Sequence, residues 1–256
     1  MLRLRKNCPS MSSEVLDMLR NDEHYYGEYG RQFLSNSDIG ALLNNPRQFH
    51  ERKPETKPLI EGRFFHTALL EPNKLGEFMI VNCASRNTNI YKDAVAQSGQ
   101  EMLLLKNEAD ELLSLTQTMK QNLRFFESIY APGNEYEKPG IQTIKGLQWK
   151  GKADIVMHSE GVLIDIKTSG RIDDFKWSAR KYNYDSQCYL YQMIFGMPLV
   201  FYVIEKETHR LGIYTPSEDF LRSGELKVEQ AVEVYNKYFS PESEDSIRNY
   251  YIEEVL

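Results

Sequence analysis

The chain has 256 residues, 41% of them hydrophobic and 27% charged, the profile of an ordinary globular protein with enough length for a substantial core. A formal charge of −6 argues against non-specific coating of nucleic acid, which runs on clustered cations, but is compatible with a local basic groove. Three scattered cysteines, Cys8, Cys83 and Cys188, exclude a four-cysteine metal or iron–sulfur site within one chain and favour free thiols. No apolar run approaches the roughly 18 residues of a membrane span. The basic start MLRLRKNCPSMSSEV has no apolar stretch behind it, so a cytoplasmic protein without a signal peptide is expected.

In chain order, SNSDIGALLNNPRQFHERK predicts a short helix opened by Ser37 or Asp38 and stopped near Asn44–Pro46, then a second helix carrying Phe49. KPETKP is a proline-flanked loop. In LIEGRFFHTALLEP, Ile60, Phe64 or Phe65, Ala68 and Leu69 recur at helical spacing until Pro72 ends the helix. EFMIV suits a short strand. A long helix is expected from Asn107 to Tyr130, with Leu112, Leu115, Met119, Leu123 and Phe126 on one face, and APGNEYEKPG breaks it. IQTI, LQWKGKADIVMH and GVLIDIKT read as strands, and Gly161 in the link HSEG suits a hairpin turn between the last two. IDDFKWSARKY and YDSQCYLYQMIFG read as helices, LVFYVIEKE and RLGIYT as another strand pair, and SEDFLRSGELKVEQAVEVYNKYF as an amphipathic helix. The order implies an α/β (α+β) fold, with helices packed on a mixed sheet around a central three-strand meander and a helical region at the N-terminus.

Two aspartates are out of place in that meander. Asp154 and Asp165 each interrupt an apolar run, and Lys167 follows the second by two residues, so Asp165 and Lys167 project from one side of their strand. Other acid-x-Lys triplets, such as Glu51–Lys53 and Glu225–Lys227, lie in polar segments and read as solvated charge. A hairpin turning near Ser159–Glu160 brings Asp154 close to Asp165, and two desolvated carboxylates repel unless they share a cation. Hard oxygen ligands suit Mg²⁺ or Mn²⁺, with the Ile166 carbonyl as a further donor. Such an ion would make a water nucleophilic and polarise a phosphate, with Lys167 neutralising the developing charge. The residues alone leave a structural alternative open: a turn-capping aspartate and an ion pair at a strand end.

Together with its surroundings, GKADIV followed by GVLIDIKTS resembles the core of the PD-(D/E)XK nuclease superfamily, in particular its RecE/RecB-like exonuclease branch. EGRFFHTALLEP is similar to that branch's Gly-x-x-x-His helix, which makes His66 a metal-side residue. YDSQCYLYQ is similar to its Gln-x-x-x-Tyr helix, which implies contact with DNA or support of the active-site strand for Gln187 and Tyr191, and LSNSDIGALLNNPRQF is similar to its early helical segment. The similarity runs from about residue 34 to 205, with Ala153 in place of the proline of the superfamily name and Asp165 in place of glutamate. The chain contains no P-loop pattern.

The resemblance implies a restriction-endonuclease-like core and a single nuclease domain over 1–256: helical segment 1–58, catalytic core 59–215, C-terminal helix and tail 216–256. It also implies digestion of linear duplex DNA from the 5′ end, a single-strand annealing partner, a homo-oligomeric ring and a phage recombination setting. Rival functions are an endonuclease or repair nuclease with the same core, and an inactive nuclease fold that binds DNA or protein. Arg47, Arg52, Lys53, Lys57 and Arg63, then Arg171, Lys176, Arg180 and Lys181, are candidates for tracking the DNA backbone, Arg63 and Lys181 first among them. Trp149 and Trp177 are weighed as stacking residues, with burial favoured for Trp149. Glu61, Glu71 and Glu137 are each candidates for an outer ligand, with solvent-facing charge the favoured expectation.

Overall fold

The computed structural model describes residues 13–52, 54–243 and 245–253; Cys8, Lys53 and the basic N-terminal stretch as far as residue 12 lie outside them. Helices α1 (Ser13–Arg20) and α2 (Asp22–Tyr26) lead to α3 (Asn36–Asn44). Helix α3 opens on a capping box in which Ser35 and Asp38 satisfy each other's backbone amides. The second helix expected around Phe49 is a single 3-10 turn, Pro46–Gln48, with Phe49 already extended after it. Pro46 suits the start of a turn, and the chain leaves it within three residues.

Helix α4 (Lys57–Leu70) buries Ile60, Phe64, Phe65, Ala68 and Leu69, as its spacing predicts. Strand β1 (Ile80–Val81) pairs in parallel with β2 (Leu104–Leu105) around helix α5 (Asn89–Ser98). The long helix expected next is two, α6 (Lys106–Gln121) and α7 (Leu123–Ile129). Asn122 takes an extended conformation, and its side chain caps α7 by accepting from the Phe125 amide. The break rotates the pattern: Leu123 and Phe126 are exposed, whereas Phe125 and Ile129 enter the core.

Five strands follow, β3 (Glu135–Ile144), β4 (Leu147–Met157), β5 (Val162–Ser169), β6 (Leu199–Glu205) and β7 (Leu211–Tyr214), in the order β3-β4-β5-β6-β7. The meander β3-β4-β5 is antiparallel, and β3 is outermost, where Pro139 is tolerated. Helices α8 (Phe175–Lys181) and α9 (Tyr184–Phe195) form the crossover that makes β5 and β6 parallel, and α10 (Glu218–Tyr238) packs along α9. One face of the sheet packs against α3, α9 and α10, with Trp149, Ala153, Leu163 and Phe201 in that core. The other packs against α4, α6 and α7 through Ile155, Ile164, Ile166 and Tyr202. No helix among the described residues is long and apolar enough to cross a membrane.

Candidate active site

Two hairpins set three acids in a row across the sheet. The β3–β4 hairpin turns at Lys145–Gly146, both with positive φ (+50° and +84°), the two-residue geometry that matches strand twist. The resulting register puts Tyr136 opposite Ile155 and Lys138 opposite Ala153, which leaves Glu137 level with Asp154. The β4–β5 ladder pairs Ile155 with Ile164, and continuing it by one residue puts Asp154 level with Asp165. The ladder stops there because the Asp154 carboxylate accepts the Ile166 amide at 2.7 Å. Glu137 has φ +46°, a left-handed conformation that is uncommon outside glycine and asparagine and that collects at functional sites.

Helix α4 brings His66 onto this row. Its Nδ1 lies 3.4 Å from Asp154 Oδ2, and its Nε2 lies 2.8 Å from the Ile166 carbonyl oxygen. Burial alone would lower the imidazole pKa, but the Asp154 charge and hydrogen bond outweigh it and raise the value to about 9. In the imidazolium form both ring nitrogens donate, one to each oxygen. Asp165 is 2% exposed, and its Oδ1 accepts from Gln187 Nε2 at 2.6 Å. Its Oδ2 is buried and lies 2.5 Å from the Lys167 ammonium, the partner it has among the described residues. The ammonium also lies 4.9 Å from the Tyr184 ring centroid.

The three acids differ electrostatically. Burial opposes the Asp154 charge, but His66, Lys167 and the Ile166 amide hold its carboxyl below the usual range. Burial and the Asp154 charge push Glu137 up to about 7. Burial and the same neighbour also raise Asp165, with Lys167 offsetting part of the effect. Such a row is short of positive charge. His66, Glu137 and Asp154 each offer a ligand atom within 4.8 Å of the others, and Asp165, level with Asp154 on the next strand, stands beside them. Carboxylates and one imidazole suit a hard divalent cation, so these residues fit Mg²⁺ or Mn²⁺. His66 would have to release its proton to serve as a ligand. The whole row floors a cleft of about 1890 Å³ whose walls include α4, α3 and the segment after β5.

Residues 38–247 match the model of a family described as a PDDEXK-like domain of unknown function (DUF3799). The chain belongs to that family. Its fold is similar to that of a presumed exonuclease from Eubacterium rectale, with a TM-score of 0.62 and 16% identity over 92% of this chain and 95% of that one. At that identity the likeness is one of fold. A phage-related exonuclease from Haemophilus somnus also matches, at a TM-score of 0.36 and 15% identity over 80% of this chain and 94% of that one, too low to carry an argument. None of the curated proteins compared with the chain matches it.

Within this PDDEXK-like domain, Asp154, Asp165, Lys167 and His66 come together. The Ile166 carbonyl is next to them but is already engaged by His66. Glu137, expected to face solvent, belongs to the row instead; the register of the Lys145–Gly146 turn was the signal for it. Glu61 is 8% exposed rather than solvent-facing and pairs with Lys206 at 2.7 Å, while Glu71 pairs with Lys74 at 2.6 Å. Gln187 and Tyr191 are buried, and their polar groups face the protein: Gln187 holds Asp165, and the Tyr191 hydroxyl donates to the Lys152 carbonyl at 3.0 Å. They therefore brace the site strands instead of presenting free groups to a substrate.

Arg63 lines the cleft but is paired with Glu55 at 2.5 Å. Lys181 is not part of the cleft wall and lies 6.0 Å from the Tyr182 ring. The early basic cluster is largely committed: Arg52 to Glu101, Lys57 to Glu108, and Arg47 to the Tyr250 carbonyl. Trp149 is fully buried and Trp177 is exposed.

Proposed function

We propose that the chain is a divalent-metal-dependent DNA exonuclease that digests linear duplex DNA from its 5′ end and leaves 3′ single strands. The observation that carries this reading is the row Glu137–Asp154–Asp165, with His66 on one side and Lys167 on the other, at the floor of a cleft. Membership of a PDDEXK-like family supports nuclease chemistry, and the exonuclease name of the Eubacterium rectale neighbour favours action from ends. Polarity, a single-strand annealing partner, a homo-oligomeric ring, a cytoplasmic recombination role and a single catalytic domain follow from the resemblance to RecE-like nucleases.

A bound Mg²⁺ or Mn²⁺ would supply a Lewis acid for the phosphate and acidify a water. Glu137, Asp154 and Asp165 would hold it, joined by neutral His66. Lys167 would keep its ammonium, because Asp165 lies against it, and would neutralise charge growing on the phosphate. Gln187 fixes one Asp165 oxygen so that the other stays beside Lys167, and Tyr191 clamps β4 at Lys152. Hydrolysis adds the elements of water across one P–O ester bond.

The test is an end-labelled duplex assay in Mg²⁺ with linear, nicked and closed circular DNA, with and without a 5′ phosphate. Digestion restricted to linear ends, abolished in Asp154→Ala and Asp165→Ala, is expected. Cutting of closed circles would make the protein an endonuclease instead, and DNA binding without any cutting would make it an inactive fold.

A further inference from the structure

Strand β4 carries two buried lysines beside the candidate metal centre. Lys150 and Lys152 share one side of the strand, while Trp149, Gly151 and Ala153 turn to the core and helix α9. Each lysine is 6% exposed, an expensive position for a cation that lacks a full partner. Both ammonium groups stand against the Tyr25 ring, 4.3 and 4.5 Å from its centroid, and Lys152 lies 5.5 Å from that of Tyr26.

The two differ in what neutralises them. Lys152 forms an ion pair with Asp22 of α2. Lys150 donates to the Tyr25 backbone carbonyl and has no ion-pair partner among the described residues. Burial, with Lys152 as its neighbour, pushes the Lys150 ammonium down to about 8. Lys152 alone of the two thus has a carboxylate against it among the described residues, and that carboxylate is loosely held: the Asp22 side chain is 67% exposed, on a helix of five residues. Lys150, Lys152, Asp22 and both tyrosines line the cleft that holds Asp154 and His66. Along β4, Lys152 stands about 7 Å and Lys150 about 14 Å from Asp154. A strand with its scissile phosphate at Asp154 would bring a neighbouring phosphate within their reach.

We propose that Lys150 and Lys152 form a phosphate-binding subsite for the substrate strand, and that Asp22 fills this subsite until a nucleic-acid phosphate displaces it. The proposal rests on the nuclease reading. It assigns Asp22 an inhibitory role that a purely structural ion pair would not have.

Fluorescence anisotropy tests it, with the full chain, a labelled 20-base-pair duplex in EDTA and a series of NaCl concentrations. Lys152→Gln is expected to weaken binding about tenfold and to reduce the slope of log Kd against log salt by about one, as loss of a phosphate contact does. With Mg²⁺, the same variant should raise KM more than it lowers kcat. Asp22→Asn is expected to tighten binding about threefold or more. An unchanged salt slope in folded Lys152→Gln, or unchanged or weaker binding in Asp22→Asn, overturns the subsite; the nuclease reading survives if the wild type still cuts. A wild type that neither binds nor cuts overturns both. Should Lys152→Gln fail to fold, Asp22→Asn, at an exposed position, decides the matter alone.

Discussion

Asp154 and Glu137 sit level on neighbouring strands, yet folding treats their charges in opposite ways. Asp154 gains an amide and an imidazolium, whereas Glu137 gains burial and a like-charged neighbour. A carboxyl whose folded pKa is raised to about 7 opposes folding once pH exceeds its unfolded value near 4.3, and the cost grows until about pH 7. Glu137→Gln is therefore expected to stabilise the metal-free protein at pH 8 by on the order of 1 kcal/mol, about 2–4 °C in Tm, and to have no such effect near pH 4. Calorimetry at both pH values, with and without Mn²⁺, checks this, because the variant should also lose most of the stabilisation by metal. Like-charge repulsion between Asp154 and Asp165 suggests that deleting either would help the metal-free fold. For Asp154 the structure argues the reverse, since alanine there strands the Ile166 amide and the His66 proton. Lys167 is a separate case: its ammonium touches an acid of the row without being a ligand. Lys167→Ala should lower kcat by about 10²- to 10³-fold, as removal of a charge-stabilising donor does, with DNA affinity in EDTA retained.

At the scale of elements, helix α9 places Gln187 and Tyr191 against the site strands, and α10 holds α9 there. The contact depends on Gly224, where a Cβ would fall 2.0 Å from the Asp185 carbonyl oxygen and 2.8 Å from the Ser186 amide, both rigid backbone. Gly224→Ala is expected to force the helices apart at a cost of about 2–3 kcal/mol, read as a lower urea midpoint, and to reduce activity by loosening Gln187. The β4–β5 hairpin was legible in the sequence because alternation and turn residues agree there, whereas β3 was read only from Ile141 although it starts at Glu135, and Asp165–Lys167 followed from strand periodicity. Glu137 was missed because its importance lies in register: the Lys145–Gly146 turn has to be read as a two-residue hairpin before Glu137 lines up with Asp154. Helix α5 was overlooked although Thr88 caps its start and Gly99, at φ +68°, its end. The break at Asn122 left no apolar signal, since Leu123 and Phe126 continue the helical spacing but remain in water. His66 came from resemblance; its neighbours on α4 show only an apolar face.

At the scale of the whole molecule, ion pairs to two buried carboxylates tie the helix carrying His66 to the rest of the fold. Glu61 on α4 reaches Lys206 just beyond β6, and Lys57 at the start of α4 reaches Glu108 at 3.0 Å. Glu108 is 3% exposed and is also held by Arg86 at 2.6 and 2.7 Å and by the Leu105 amide at 3.0 Å. Burial would raise its pKa, but the Arg86 hydrogen bonds, that amide and Lys57 bring it down to about 2. A depressed carboxylate stabilises the fold fully above its unfolded pKa of about 4.3 and loses that contribution as pH falls toward 2. Glu108→Gln should therefore cost about 2–3 kcal/mol at pH 7, after discounting for the half-exposed Lys57, and almost nothing near pH 2. Wild-type stability should fall more steeply between pH 4.5 and 2 than that of the variant. Among the described residues the candidate metal centre shares no ion-pair partner with Glu108, so the two contributions should add. Metal at about 100 times its Kd is worth about 2.7 kcal/mol and should raise the Tm of Glu108→Gln as much as that of the wild type at pH 7. A smaller rise in the variant would show that the network under α4 also sets the position of His66 in the metal site.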